Sequence, residues 1–147
     1  MIGAALGGGL LLGVGAAGAQ AAACQPGQIR PRPEANMTRA INAARRAEGL
    51  RPLRVSGRLR ALARTSSGRM IRHGVFQHDP MRWGRGWFIG QNIARARSAF
   101  IAFRLQRDSG PHRENILAPQ WRTIGVGARG DCRGSLFFTV DFSAAPR

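Results

Sequence analysis

Three residues could do chemistry together: His78, Gln91 and His112. Each sits in a short polar phrase. These are Val75-Phe76-Gln77-His78-Asp79, Gly90-Gln91-Asn92-Ile93-Ala94 and Ser109-Gly110-Pro111-His112-Arg113-Glu114-Asn115-Ile116-Leu117. Two neutral imidazoles can hold a divalent cation such as zinc, or exchange protons near neutral pH. A tight zinc site uses three or four protein donors, and the phrases offer two. Hydrolysis needs a general base or an activated water. The residue between the histidines is an amide. It cannot take a proton at neutral pH, but it can orient an imidazole or a water. Ser109 has no orienting acid beside it in sequence, so it reads as a helix cap and not a nucleophile. Asp79 alternates away from His78 in an extended chain, and Glu114 lies two helical positions from His112, so both should face elsewhere. Asn92 and Asn115 should bond loop backbone and hold together the edges of any site these phrases form. His73 falls at a helix end, where a cation is favourable, and is given no role.

The elements that must position these residues can be read from periodicity. Gln25 to Pro33 holds three prolines and a glycine and reads as extended; the arm as a whole is drawn over 24–35. Glu34 to Glu48 is helical in pattern, with Met37, Ile41 and Ala44 on one face and Gly49 as the stop. Ser56 is a good N-cap for a second helix with the stripe Leu59, Leu62, Ala63, Ser66, Met70, ended by Gly74. His78 would then lie in the following loop. Asp79 to Gly90, with Trp83 and Trp87, reads as an irregular loop whose aromatics either line a cleft or cover the core. A third helix is expected over 95–107, with Phe100 and Phe103 inward, and a short one from His112 to Leu117, stopped by Pro119. Arg122 to Arg129 and Ser135 to Ser143 read as paired strands. In the second, Leu136, Phe138, Val140 and Phe142 share one face, and 130–134 forms the hairpin loop. Helices first and paired strands last argue an α+β domain.

Composition bounds the rest. The 147 residues suffice for one domain and one core. The formal charge is +16, carried entirely by arginine against 7 acidic residues. Ala, Gly and Arg are all abundant, which fits a GC-rich coding bias. An arginine-rich surface would also attract an anionic lipid, glycan or phosphate-bearing polymer. Residues 1–23 are almost wholly Ala, Gly, Leu and Val and end in small residues, which reads as an export signal; a retained N-terminal membrane anchor is the alternative. Export implies a secreted or periplasmic protein in an oxidising compartment, where Cys24 and Cys132 would pair. The competing reading, a lipidated Cys24, lacks the leucine usual three places upstream. Nucleic acid is not expected as a partner: no aromatic-interleaved or helix-turn-helix signature accompanies the charge. A monomer is expected.

The phrases, in this order, resemble the CAP superfamily (cysteine-rich secretory, antigen 5 and pathogenesis-related proteins), and most of all its short bacterial SCP-like branch. The match takes in Asn42, Arg45, Gly49-Leu50-Arg51-Pro52-Leu53, the three site phrases and Ile124-Gly125-Val126-Gly127. It runs from about residue 36 to 143, within a domain drawn over 36–147. The resemblance implies a three-layer α-β-α sandwich with an antiparallel sheet between helices, and a cleft lined by two histidines and acidic residues. By matching motif the histidines are His78 and His112, and the family's glutamate falls on Gln91. Gln106 stands where many members have tryptophan. The expectation is therefore an exported envelope binding module, leaning away from catalysis. The alternative is a metal-assisted, peptidase-like hydrolase using His78 and His112.

Overall fold

The computed structural model describes residues 23–79 and 88–144. The expected signal segment, apart from Ala23, and the stretch with Trp83 and Trp87 lie outside the described residues. In chain order the elements are β1 (Gln28–Ile29), α1 (Pro31–Ala47), β2 (Arg54–Val55), α2 (Gly57–His73), β3 (Phe88–Ala96), α3 (Ala99–Arg107), α4 (Gly110–Leu117), β4 (Thr123–Gly130) and β5 (Leu136–Ala144).

The sheet runs β1-β4-β5-β3, antiparallel throughout this path. The two-residue β2 adds a parallel pairing to the first end of β4. Its two faces carry separate cores. Ile124, Val126 and Ala128 of β4 and Phe138, Val140 and Phe142 of β5 pack with Met37 and Ile41 of α1, Phe103 of α3 and Ile116 of α4. The alternate residues face α2: Phe137 packs with Met70, and Ser67 Oγ donates to Gly127 O and Thr139 Oγ1, each at 3.0 Å. Helices on both faces of an antiparallel sheet make this an α+β, three-layer α-β-α sandwich, as expected.

The glycines of Ile124-Gly125-Val126-Gly127 have a mechanical reason. A Cβ on Gly125 would run into the backbone of Leu59 and Arg60, and one on Gly127 into that of Ala63 and Arg64. Helix α2 therefore lies with its backbone directly on β4, an approach a side chain would block.

Local chemistry explains the boundaries. Ser56 caps α2 by accepting from Leu59 N–H at 3.3 Å, and Gly74 ends it in the left-handed conformation. Gly49 does the same after α1, with φ +68°. Three expectations are corrected. Pro31 opens α1, because proline needs no N–H partner in a first helical turn, so the later part of the arm is helical. Its earlier part, β1, is paired to β4. Phe88–Ala96 is a strand, so the third helix starts at Ala99 and not at 95; Ser98 caps it by accepting from Ile101 N–H. Finally, Phe100 and Leu62 point outward, 68% and 48% exposed, while Glu34 and Arg45 are buried.

Of those two buried charges, Glu34 ties the layers and Arg45 braces one of them. Glu34 takes a bidentate pair of hydrogen bonds from Arg64 of α2, at 2.9 and 2.6 Å, and one from Ala128 N–H at 3.2 Å. Arg45 donates to Arg51 O, Ile116 O and Ala118 O at 2.8–3.0 Å, fixing the C-terminal end of α4. Burial, and then Arg122, hold its guanidinium below the ordinary arginine range. Cys24 and Cys132 form a disulfide, which locks the strand β1 region to the β4–β5 hairpin. Closing a loop of 108 residues this way is worth up to about 4–5 kcal/mol on the chain-entropy view.

Candidate functional site

Strand β3 is one edge of the sheet among the described residues, and the site is built across it. His78 arrives from the α2 layer, five residues after that helix ends. Phe76, meeting Phe137 edge-on at 6.3 Å, ties its loop to the sheet. His112 arrives from the opposite layer, on the first turn of α4. The two ring centroids are 6.4 Å apart. His78 is exposed and His112 half-buried. Burial first, and the neighbouring His78 second, lower the His112 pKa.

Gln91 and Asn92, consecutive on β3, point to opposite faces and serve the two layers separately. Asn92 is fully buried on the α4 side. Its Nδ2 donates to His112 O at 2.9 Å and its Oδ1 accepts from Asn115 Nδ2 at 2.9 Å. Asn115 in turn presents its carbonyl to Trp121 Nε1 at 2.9 Å, and Trp121 stacks on Phe142. Gly90 makes room for this: a Cβ there would sit 2.8 Å from Trp121 and 2.9 Å from Asn115 Oδ1. Together these bonds form an amide chain that seats α4 against the edge strand.

Gln91 faces the α2 side. Its Oε1 accepts from Asp79 N–H at 3.0 Å and lies 3.1 Å from His78 Nδ1. Its Nε2 donates to Asp141 Oδ1 at 2.9 Å. This set determines the orientation of the amide. Reversed, it would aim N–H groups at the Asp79 N–H and a carbonyl at a carboxylate. With Oε1 toward His78, only a protonated Nδ1 makes a hydrogen bond, so neutral His78 is held as the Nδ1–H tautomer with a lone pair on Nε2.

Asp141 is the residue that sequence reasoning missed. It stands directly across from Gln91 in the β3–β5 register and is buried. Burial pushes its pKa up to about 6, against the lowering effect of the Gln91 hydrogen bond. A signal was available: Asp141 lies between Val140 and Phe142 in a strand whose other face already met a core, so a sandwich must bury it. Asp79 and Glu114 face away as expected. The Asp79 carboxylate accepts from Ser66 Oγ at 3.0 Å and pairs with Arg69. Glu114 is exposed. Ser109 occupies the N-cap position of α4 but makes no side-chain cap bond.

The donor set does not fit a complete zinc centre. Among the described residues, no three His, Cys, Asp or Glu side chains converge. Gln91 is spent on other bonds, and the remaining pair of imidazoles falls short of the three or four donors such a site uses. No carboxylate among the described residues bonds to either imidazole.

A model of the cysteine-rich secretory protein family, CAP, matches residues 38–142. No curated protein sequence matches the chain. Among solved structures, the chain superposes on an outer surface protein from Borrelia burgdorferi with a TM-score of 0.71 at 13% identity, covering 81% of this chain and 98% of that one. An extracellular protein containing a SCP domain, from Bacillus anthracis, gives 0.64 at 25% identity, covering 76% and 41%. A cysteine-rich secretory protein from Staphylococcus aureus gives 0.58 at 17% identity, covering 78% and 39%. The chain therefore spans under half the length of the last two. No helix among the described residues is long and apolar enough to cross a membrane. A family match over more than half the chain, on a sandwich that superposes on SCP domains, makes this chain a member of the CAP, or cysteine-rich secretory protein, family.

Proposed function

We propose that this chain is an exported binding module of the cell envelope, whose cleft of His78, Gln91 and His112 holds a ligand without hydrolysing it. The observation that carries this reading is the state of Gln91. Its amide bonds His78, Asp79 N–H and Asp141, so the position that would supply a base to the histidines supplies a fixed neutral group instead. Asp141 sits behind that amide, out of reach of the cleft. Support for export comes from the apolar leader, the Cys24–Cys132 disulfide and the extracellular character of the Bacillus relative. The excess of arginine would draw the protein to an anionic envelope component.

Retention on envelope fractions tests this. The expected result is binding that weakens with salt and weakens further in His78→Ala/His112→Ala. Retention indifferent to both salt and the double substitution would overturn the reading. Metal-dependent turnover lost in the same variant would favour a hydrolase.

One observation favours a lipid as a second ligand. A groove of about 460 Å³ runs between α1, α3 and α4, floored by Ala40, Ala44, Phe103 and Leu117, with Arg107 and Arg113 at its rim. Displacement of a fluorescent fatty acid, lost in Ala44→Phe, would test that reading separately.

A further inference from the structure

We propose that Asp141, acting through Gln91, is a positioning residue that keeps the Nε2 lone pair of His78 turned to the ligand, so that the cleft takes a hydroxyl donor of a neutral glycan and not an anion. The ligand class rests on the binding reading above; the positioning role does not.

The chain of contacts is Asp141 Oδ1, Gln91 Nε2, Gln91 Oε1, His78 Nδ1, at 2.9 Å and 3.1 Å across the two hydrogen bonds. Each link is polar in one sense only. The ionised carboxylate beneath accepts and does not donate, so the amide nitrogen faces it, and the Asp79 N–H holds the amide oxygen in the same sense. The amide oxygen then faces His78, whose Nδ1 must carry the proton. Exposed histidines favour the other neutral tautomer, so the chain works against the intrinsic preference of the ring. Nε2 makes no bond among the described residues and belongs to an exposed side chain. A lone pair presented this way accepts from a hydroxyl and repels a phosphate or carboxylate oxygen. Arginines elsewhere on the surface govern encounter with anionic envelope, while the histidine cleft selects a neutral donor within it.

Long-range 1H–15N correlation on the labelled full chain reads the tautomer directly, with exposed His73 as an internal reference. His78 should be predominantly Nδ1–H in the parent and in Asp141→Asn, whose amide oxygen still accepts from Gln91. In Asp141→Leu the ratio of Nδ1–H to Nε2–H should fall roughly fivefold, the worth of one net hydrogen bond. If that variant does not fold, Gln91→Leu removes the acceptor without touching β5 and should give the same fall. A parent ring that is mainly Nε2–H, or a ratio unmoved in the leucine variants, would overturn the positioning role. For the ligand, the β-1,4-linked trimer of N-acetylglucosamine should shift His78 Nε2 and inorganic phosphate should not. A shift from phosphate, or none from the trimer, would overturn the ligand class. Failure to bind envelope fractions would instead overturn the binding reading and leave the tautomer result standing.

Discussion

Gln91 and Asp141 face one another across the β3–β5 ladder, joined by a 2.9 Å hydrogen bond on the α2 side of the sheet. The carboxylate expected at position 91 is thus not simply lost. An acid stands one strand away, buried, and the amide separates it from the histidines.

That burial makes a pH prediction. The Asp141 pKa is raised to about 6 in the folded chain, from an ordinary value of 3.8. The folded state therefore binds more protons than the unfolded one between about pH 4 and 6, and this contribution to stability falls as pH rises through that window. Asp141→Asn removes the titration. It should be more stable than the parent above pH 7, by about 3 kcal/mol, and should converge on it near pH 4. Denaturant melts at a series of pH values check this; a difference that did not change with pH would contradict it.

Gln91→Glu should behave differently from a conservative change. It places a second carboxylate where an amide now bonds the first, and the pair would hold one proton between them. The variant should lose stability most at pH 8 and least near pH 5. Adding Asp141→Asn should restore most of the loss, with a coupling of about 1–3 kcal/mol in the double-mutant cycle. The double variant also places a free glutamate beside His78. Hydrolysis appearing there and absent from the parent would mark the natural chain as a pseudo-enzyme.

His112 offers a test of how close the two rings are in solution. Burial is the larger cause of its lowered pKa and His78 the smaller. In His78→Gln its NMR titration midpoint should therefore rise, yet stay below the ordinary histidine value, because burial remains. A midpoint unchanged by the substitution would mean that the rings do not sense each other.

Gly127→Ala tests the seating of α2. The added methyl meets the backbone of Ala63 and Arg64, which cannot rotate away. The expected loss is about 1–3 kcal/mol or more, read as a fall in Tm, with His78 resonances moving because α2 carries that loop. Gly110→Ala, where a methyl meets nothing, should stay within about 0.5 kcal/mol of the parent.

Much of this arrangement is legible in the sequence, and the gaps have physical causes. Caps and stops read well because they depend on local backbone chemistry: Ser56, Gly49 and Gly74 do what their types dictate. The β4–β5 hairpin was plain from its alternation. Strand β3 was not, because its centre, Gly90-Gln91-Asn92, is polar and glycine-containing. Those residues suit a strand only because partners from two other segments satisfy them. Glu34 and Arg45 looked like ordinary helix-end charges, and only tertiary pairing puts them inside. The histidine phrases lie far apart in sequence, and the fold sets the His78 and His112 rings 6.4 Å apart. Asp141 is legible only at the level of the fold: the alternation of β5 sets it on the face that the second helical layer covers, and no local feature marks it.

The two imidazoles belong to opposite helical layers and meet only around the rim of β3. A molecule that touches both would act as a staple between those layers. Since no such pair exists in the unfolded chain, occupancy would feed directly into folding, by about 2.7 kcal/mol at a hundredfold excess over Kd. Binding across the two imidazoles would therefore show as a rise in melting temperature. Screening for thermal shifts, before any assay of turnover, is a direct test of whether the proposed cleft takes a ligand.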